Sequence, residues 1–100
     1  MSAFLISEVK VVDESLASTY RELASLSIEK YQGKYIVRGA DPTTLEGKSL
    51  DRKIVIVEFP SIEKIKEWYS SPEYKKALEY RDNALIRDLF YVNGLEIVSE

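Results

Sequence analysis

The segment Lys53-Ile54-Val55-Ile56-Val57-Glu58-Phe59 sets Val55, Val57 and Phe59 on one side and Ile54, Ile56 and Glu58 on the other. A period of two among β-branched residues reads as a strand. Both of its faces are apolar, so any sheet holding it has to be covered on two sides. The other strands repeat this pattern. From Ala3 to Val12, Leu5, Val9 and Val11 alternate with Phe4, Ile6, Glu8 and Lys10. From Lys34 to Ala40, Tyr35 and Val37 alternate with Lys34, Ile36 and Arg38.

Helical signals lie between these strands. Asp13 stands at an N-cap position before a stretch with Leu16, Tyr20, Leu23, Ile28 and Tyr31 at spacings near 3.6, and Gly33 closes that region. Pro60 ends the third strand, and Ser61 opens a short helix with Ile62, Ile65, Trp68 and Tyr69 on one side. Ser71-Pro72-Glu73 supplies a cap, a proline at the first helical position and an acid in the first turn. The helix it starts is expected to run to about Arg87, with Tyr74, Ala77, Leu78, Arg81, Ala84 and Leu85 inward. Leu89 to Val98 is expected to be extended, with a break near Asn93-Gly94. The order β-α-β-β-α-β, with its second helical part broken at Ser70-Ser71-Pro72, predicts the α+β class. The architecture is a ferredoxin-like four-stranded antiparallel sheet with helices on one face. The opposite face, with Phe4, Ile6, Ile36, Ile54 and Ile56, is too apolar for water. It predicts a homodimer built face to face, a dimeric α+β barrel.

Composition narrows the chemistry. One hundred residues predict one domain, and a chain of this size buries only about two-thirds of its unfolded surface, so association is a natural remedy. With no cysteine and no histidine, disulfides, thiol chemistry, a histidine base and the usual zinc, copper or haem ligand sets are excluded. No apolar run approaches the ~20 residues of a membrane span, and no signal-peptide pattern opens the chain. A net charge of −3 gives no footprint for nucleic acid. The expectation is a cytoplasmic protein with no metal, no cofactor, no nucleic-acid partner and no membrane partner.

Several linked motifs carry a resemblance over nearly the whole chain. They are Lys30-Tyr31-Gln32-Gly33-Lys34-Tyr35-Ile36-Val37-Arg38-Gly39, Leu45-Glu46-Gly47, Val57-Glu58-Phe59-Pro60-Ser61, Trp68-Tyr69-Ser70-Ser71-Pro72-Glu73-Tyr74 and Arg81. In this order they resemble the domain of unknown function 1330 family, which implies the dimeric α+β barrel superfamily. Related families there include cofactor-free monooxygenases, muconolactone isomerases and haem-degrading enzymes. The haem-degrading relatives bind haem through a histidine, so that activity does not carry over. Two other departures stand out. Gln32-Gly33 and Gly39-Ala40 replace glycine pairs, and Lys48-Ser49 stands where a tryptophan is common.

Candidate site residues follow from charge on apolar faces. Arg81 falls on the stripe of Tyr74, Ala77, Leu78 and Leu85, where an unpaired guanidinium is expensive. It is either an anion clamp in a cavity under the helices or half of an ion pair with Asp88, Glu58 or another carboxylate. Arg38 is expected on the dimer face. In a regular register that pairs it with Ile54, Glu58 falls opposite Lys34. Trp68, Tyr69, Tyr74, Tyr80 and Tyr35 are candidate walls of an apolar pocket or plain core. The resulting expectation is an enzyme working without a cofactor on a small hydrophobic or anionic organic molecule. The alternative is a non-catalytic ligand-binding or structural homodimeric module.

Overall fold

In the computed structural model, which describes residues 2–95, the elements follow the order that the alternating and helical patterns demand. They are β1 (Ala3–Val11), α1 (Glu14–Lys30), β2 (Lys34–Ala40), β3 (Lys53–Phe59), α2 (Ile62–Tyr69), α3 (Pro72–Ala84) and β4 (Leu85–Asn93). All strand pairs are antiparallel, in the order β2-β3-β1-β4. This is the ferredoxin-like arrangement expected from the sequence, with the helical part after β3 split into two helices.

Each helix starts where its cap stands. The Leu16 amide donates to Asp13 Oδ1 at 3.1 Å, the Lys64 amide to Ser61 Oγ at 3.2 Å and the Tyr74 amide to Ser71 Oγ at 3.1 Å. Each bond satisfies a donor that the first turn cannot pair internally. At the other end of α1, the Gly33 amide reaches Ile28 O at 2.8 Å and the Gln32 amide reaches Glu29 O at 3.1 Å. This is the paired closure of a Schellman motif. The left-handed residue is Gln32, with φ 68°, not the glycine. Gly33 is needed for a different reason: a Cβ there would lie 2.5 Å from Ile28 Cγ2 and 2.9 Å from Phe59 Cζ.

The core lies between the helices and the inward row of each strand. Trp68 is 1 % exposed, and its ring centroid lies 4.1 Å from that of Tyr74 and 5.8 Å from that of Phe59. Its indole N–H donates to Ser27 Oγ at 2.9 Å, and Ser27 Oγ donates to Ala24 O at 2.7 Å. Both polar atoms are therefore satisfied inside the core.

Two expectations are corrected here. The third helix stops at Ala84, not Arg87. The Ala84 carbonyl accepts the amides of Val12 at 2.8 Å and Asp13 at 3.0 Å. From Leu85 the chain is fully extended and pairs with β1 along its whole length, Leu85 opposite Val11 and Asn93 opposite Ala3. Long-range pairing to β1 overrides the helical spacing. The final strand thus begins four residues earlier than expected and ends at Asn93; positions 96–98 of the expected strand lie outside the described residues. The second correction concerns β2. Its pairing with β3 is regular at Lys34 opposite Glu58, as expected, but slips at Ile36 and again at Gly39. Arg38 therefore faces Val55 instead of Ile54. Bulges of this kind re-aim the residues beside them, and Gly39, with φ 77°, supplies the conformation one of them needs.

Among the described residues, nothing covers the far sheet face. Ile6 lies opposite Ile56 on one side and Phe90 on the other. Around this row stand Phe4, Ile54, Ile36, Ile86 and Val92; Ile36 is 50 % exposed and Ile86 53 %. No described helix is long and apolar enough to cross a membrane.

Candidate functional site

Between α1 and the sheet is a cavity of about 130 Å³. That is close to the volume in which an engineered apolar protein cavity holds one benzene ring. Its floor is Leu5, Val9, Val55, Val57 and Leu89, and its wall is Ala24, Ile28 and Trp68. Among the described residues, the lining also holds Arg21, Arg38, Lys53 and Arg87, and no carboxylate. Arg21 pairs outward with Glu14, and Lys53 with Asp41 at 2.9 Å. Among the described residues, Arg38 and Arg87 have no carboxylate partner.

Arg87 is the deepest of these charges. On β4 the inward row is Leu85, Arg87, Leu89 and Tyr91, and Arg87 sits opposite Val9. It donates from Nη1 to the Tyr20 hydroxyl of α1 and from Nη2 to the Tyr74 hydroxyl of α3, the latter at 2.6 Å. The two hydroxyls meet each other at 2.8 Å. The triangle is built on neutral groups, so it satisfies donors but leaves the positive charge in place. Burial works against that charge, yet the Tyr20 and Tyr74 oxygens outweigh it and hold the guanidinium protonated. Burial, then the neighbouring Tyr74 oxygen, push the Tyr20 phenol well above the usual tyrosine range despite the pull of Arg87. The Tyr20 phenol thus keeps its proton at neutral pH. Only one of the two hydroxyl protons is used inside the triangle, which leaves the other as a free donor. Arg87 Nε, the guanidinium nitrogen nearest the strand, is buried without an acceptor among the described residues.

At the other end of the cavity, Arg38 donates from Nη2 to Ser25 Oγ at 2.7 Å and stacks 4.4 Å over the Tyr35 ring. Ser25 Oγ and the Tyr35 hydroxyl are 3.2 Å apart. Arg38 is therefore at the cavity mouth on the helix side of the sheet. The expectation that it lies on the dimer face is wrong, because the slip at Ile36 turns it over.

The other sequence-derived candidates divide. Trp68 and Tyr35 line the cavity, whereas Tyr74 is fully buried behind Arg87. Tyr80 is half-buried against the core. Arg81 and Tyr69 line a second, larger depression of about 420 Å³ with Lys66, Phe90 and Tyr91. Arg87 borders both spaces. Arg81 keeps its stripe on α3, but its partner is the adjacent Asp82 at 2.9 Å, while Asp88 pairs with Arg52 at 2.6 Å. The arginine under the helices is Arg87, which the sequence reading had assigned to the end of a helix. Its signal was present in the alternation of Leu85, Arg87, Leu89 and Tyr91.

The sequence profile of the family described as a domain of unknown function, DUF1330, matches residues 2–95. The chain belongs to this family. Its fold recurs in solved structures. A neighbour in shape is a protein of unknown function from Rhodopseudomonas palustris, with a TM-score of 0.78 and 19% identity over 96% of this chain and 84% of that one. A dimeric protein of unknown function with a ferredoxin-like fold from Bacteroides fragilis has a TM-score of 0.63 and 13% identity over 93% and 96%. SnoaB, a cofactor-independent oxygenase from Streptomyces nogalater, has a TM-score of 0.58 and 8% identity over 99% and 98%. At these identities the likeness is one of fold. No curated protein matches this DUF1330 chain.

Proposed function

We propose that this DUF1330 protein binds a small, hydrophobic, anionic organic molecule, with its acidic group on Arg87 and its apolar part against Val55, Val57, Ile28 and Trp68. One observation carries the reading: Arg87 is a partly buried guanidinium whose bonds in the triangle go to two tyrosine hydroxyls and whose Nε is buried without an acceptor among the described residues. A bound carboxylate or enolate supplies the missing countercharge, and the free phenol proton and Arg38 at the mouth add to the attraction. Candidate ligand-binding residues are thus Arg87, Tyr20 and Arg38, with Trp68 as wall, Tyr74 as support, and Arg81 and Tyr69 flanking the second depression. The test is calorimetric titration with phenylacetate. The expected result is saturable binding that weakens about 10- to 100-fold in Arg87→Met, the worth of one charge-assisted hydrogen-bonded contact. Equal affinity in the two proteins contradicts it.

We further propose that the functional unit is a homodimer. The uncovered row around Ile6, Ile56 and Phe90 supports it, as does the dimeric state of the Bacteroides fragilis protein of the same fold. The cytoplasm suits a chain that needs no disulfide to fold.

A second reading is catalysis on the bound molecule without a cofactor. The triangle favours it, since preorganised donors around a protonated guanidinium stabilise an oxyanion such as an enolate. SnoaB carries out cofactor-independent oxygenation on the same fold. Exchange of the C3 protons of phenylpyruvate with D2O, in which solvent takes the proton from C3 and the site holds the resulting enolate oxygen, tests it when followed by NMR. Acceleration by the native protein that is lost in Arg87→Met supports turnover; an unchanged rate removes it.

A further inference from the structure

On β1 the inward row reads Ala3, Leu5, Ser7, Val9 and Val11, and Ser7 is its one polar member. Ser7 is 5 % exposed and lines the cavity. Its Oγ is one of two buried side-chain polar atoms without a hydrogen-bond partner among the described residues, and the other is Arg87 Nε. A buried hydroxyl with no partner destabilises a fold, and alanine would fill this position without that cost. Ser7 lies opposite Leu89 on β4, two residues along the inward row from Arg87. Diagonal neighbours of this kind have Cα atoms about 7–8 Å apart. That leaves room for one small group between a short serine side chain and the base of the guanidinium. A carboxylate facing Arg87 Nε is taken side-on, with both of its oxygens on the guanidinium, so the Ser7 hydroxyl needs a further acceptor oxygen on the same molecule. On the floor of the cavity, beyond Ser7, everything is apolar: Leu5, Val55, Val57 and Leu89.

We infer that Ser7 is a specificity-determining residue and that the ligand is a 2-oxo acid with one apolar ring or chain. This rests on the anion reading of Arg87. The carboxylate accepts from Arg87 and the adjacent carbonyl oxygen accepts from the Ser7 hydroxyl, while the apolar part lies in the cavity. A plain carboxylic acid of the same size leaves the Ser7 hydroxyl unpaired, and a site built around such a donor discriminates against it.

Benzoylformate and phenylacetate are a matched pair for the test, differing in a carbonyl against a methylene beside the carboxylate. Calorimetric titration of the full chain is expected to give benzoylformate at least about tenfold tighter than phenylacetate. In Ser7→Ala the two are expected to bind alike, at the level of phenylacetate in the native protein, and Ser7→Thr is expected to keep a preference for benzoylformate. The unliganded Ser7→Ala protein is expected to melt no lower than the native one. Arg87-dependent binding of both acids with no preference overturns the role of Ser7 and leaves the anion site standing. A preference that survives in Ser7→Ala, or a large fall in its melting temperature, also overturns that role. Binding of neither acid overturns both.

Discussion

Arg87 of the last strand donates to the Tyr74 hydroxyl at 2.6 Å, and Tyr74 in turn lies 2.8 Å from the hydroxyl of Tyr20. A charge on the sheet is thereby tied to both long helices through two tyrosine hydroxyls. The arrangement orients the guanidinium without neutralising it. An ion pair in the same place would be closed to a ligand anion.

Replacing Tyr74 by phenylalanine is expected to destabilise the fold by about 1.5–3 kcal/mol, because a partly buried cation loses an acceptor. For a domain of this length that is a fall in Tm of about 6–24 °C. In an Arg87→Met background the same change is expected to cost much less, and a double-mutant cycle by urea denaturation measures the difference. Equal costs in the two backgrounds would show that Tyr74 acts through packing alone.

Arg87→Met has the opposite expectation for stability. Removing a partly buried charge that has no carboxylate partner among the described residues is neutral or stabilises by up to about 2 kcal/mol. The two phenols then bond only to each other. A large loss of stability, seen as an earlier urea midpoint, would mean that the charge is part of the folded core.

Tyr20 gives the pH dependence. Burial raises its folded pKa above the ordinary tyrosine value of about 10. Its stability contribution is therefore fully present below that value and is lost as pH rises above it, because the unfolded chain ionises first. Lys30, raised by its hydrogen bond to Glu73, adds to the same alkaline loss. Tyrosinate absorbance is expected to show one tyrosine titrating only together with unfolding, and this step is expected to vanish in Tyr20→Phe.

Much of this was legible in the sequence, for local reasons. Asp13, Ser61 and Ser71 cap their helices through contacts three residues away, and the Val/Ile alternation of β3 defines two faces regardless of its neighbours. Arg38 and Arg87 were misread because their positions depend on distant partners. The slips at Ile36 and Gly39 exist only in the pairing of β2 with β3. The lone glycine of that strand was their one trace. The end of α3 is set by β1, which takes the Ala84 carbonyl and the whole of β4. Gly33 was read correctly as the end of the helical region, but its requirement comes from Phe59, 26 positions later.

Gly33→Ala is accordingly expected to destabilise by about 1–3 kcal/mol, as overpacking against Ile28 and Phe59 does. Thermal unfolding measures it. A variant within about 0.5 kcal/mol of the native protein would show that the Ile28 methyl and the Phe59 ring move aside freely.

On the far face, Ile56→Lys places a charge at the centre of the row with Ile6 and Phe90. Light scattering is expected to show a dimer for the native protein and a monomer for the variant. A folded variant of unchanged dimer mass would exclude this face as the interface.

The most direct measurement is a crystal structure of the protein with 4-bromobenzoylformate, located by the anomalous signal of bromine. The expected result is a bromine peak in the cavity between α1 and the sheet, with the carboxylate on Arg87. Crystals soaked to saturation that show no peak there, or a peak only in the outer depression beside Arg81, would contradict the assignment of Arg87 as the anion site.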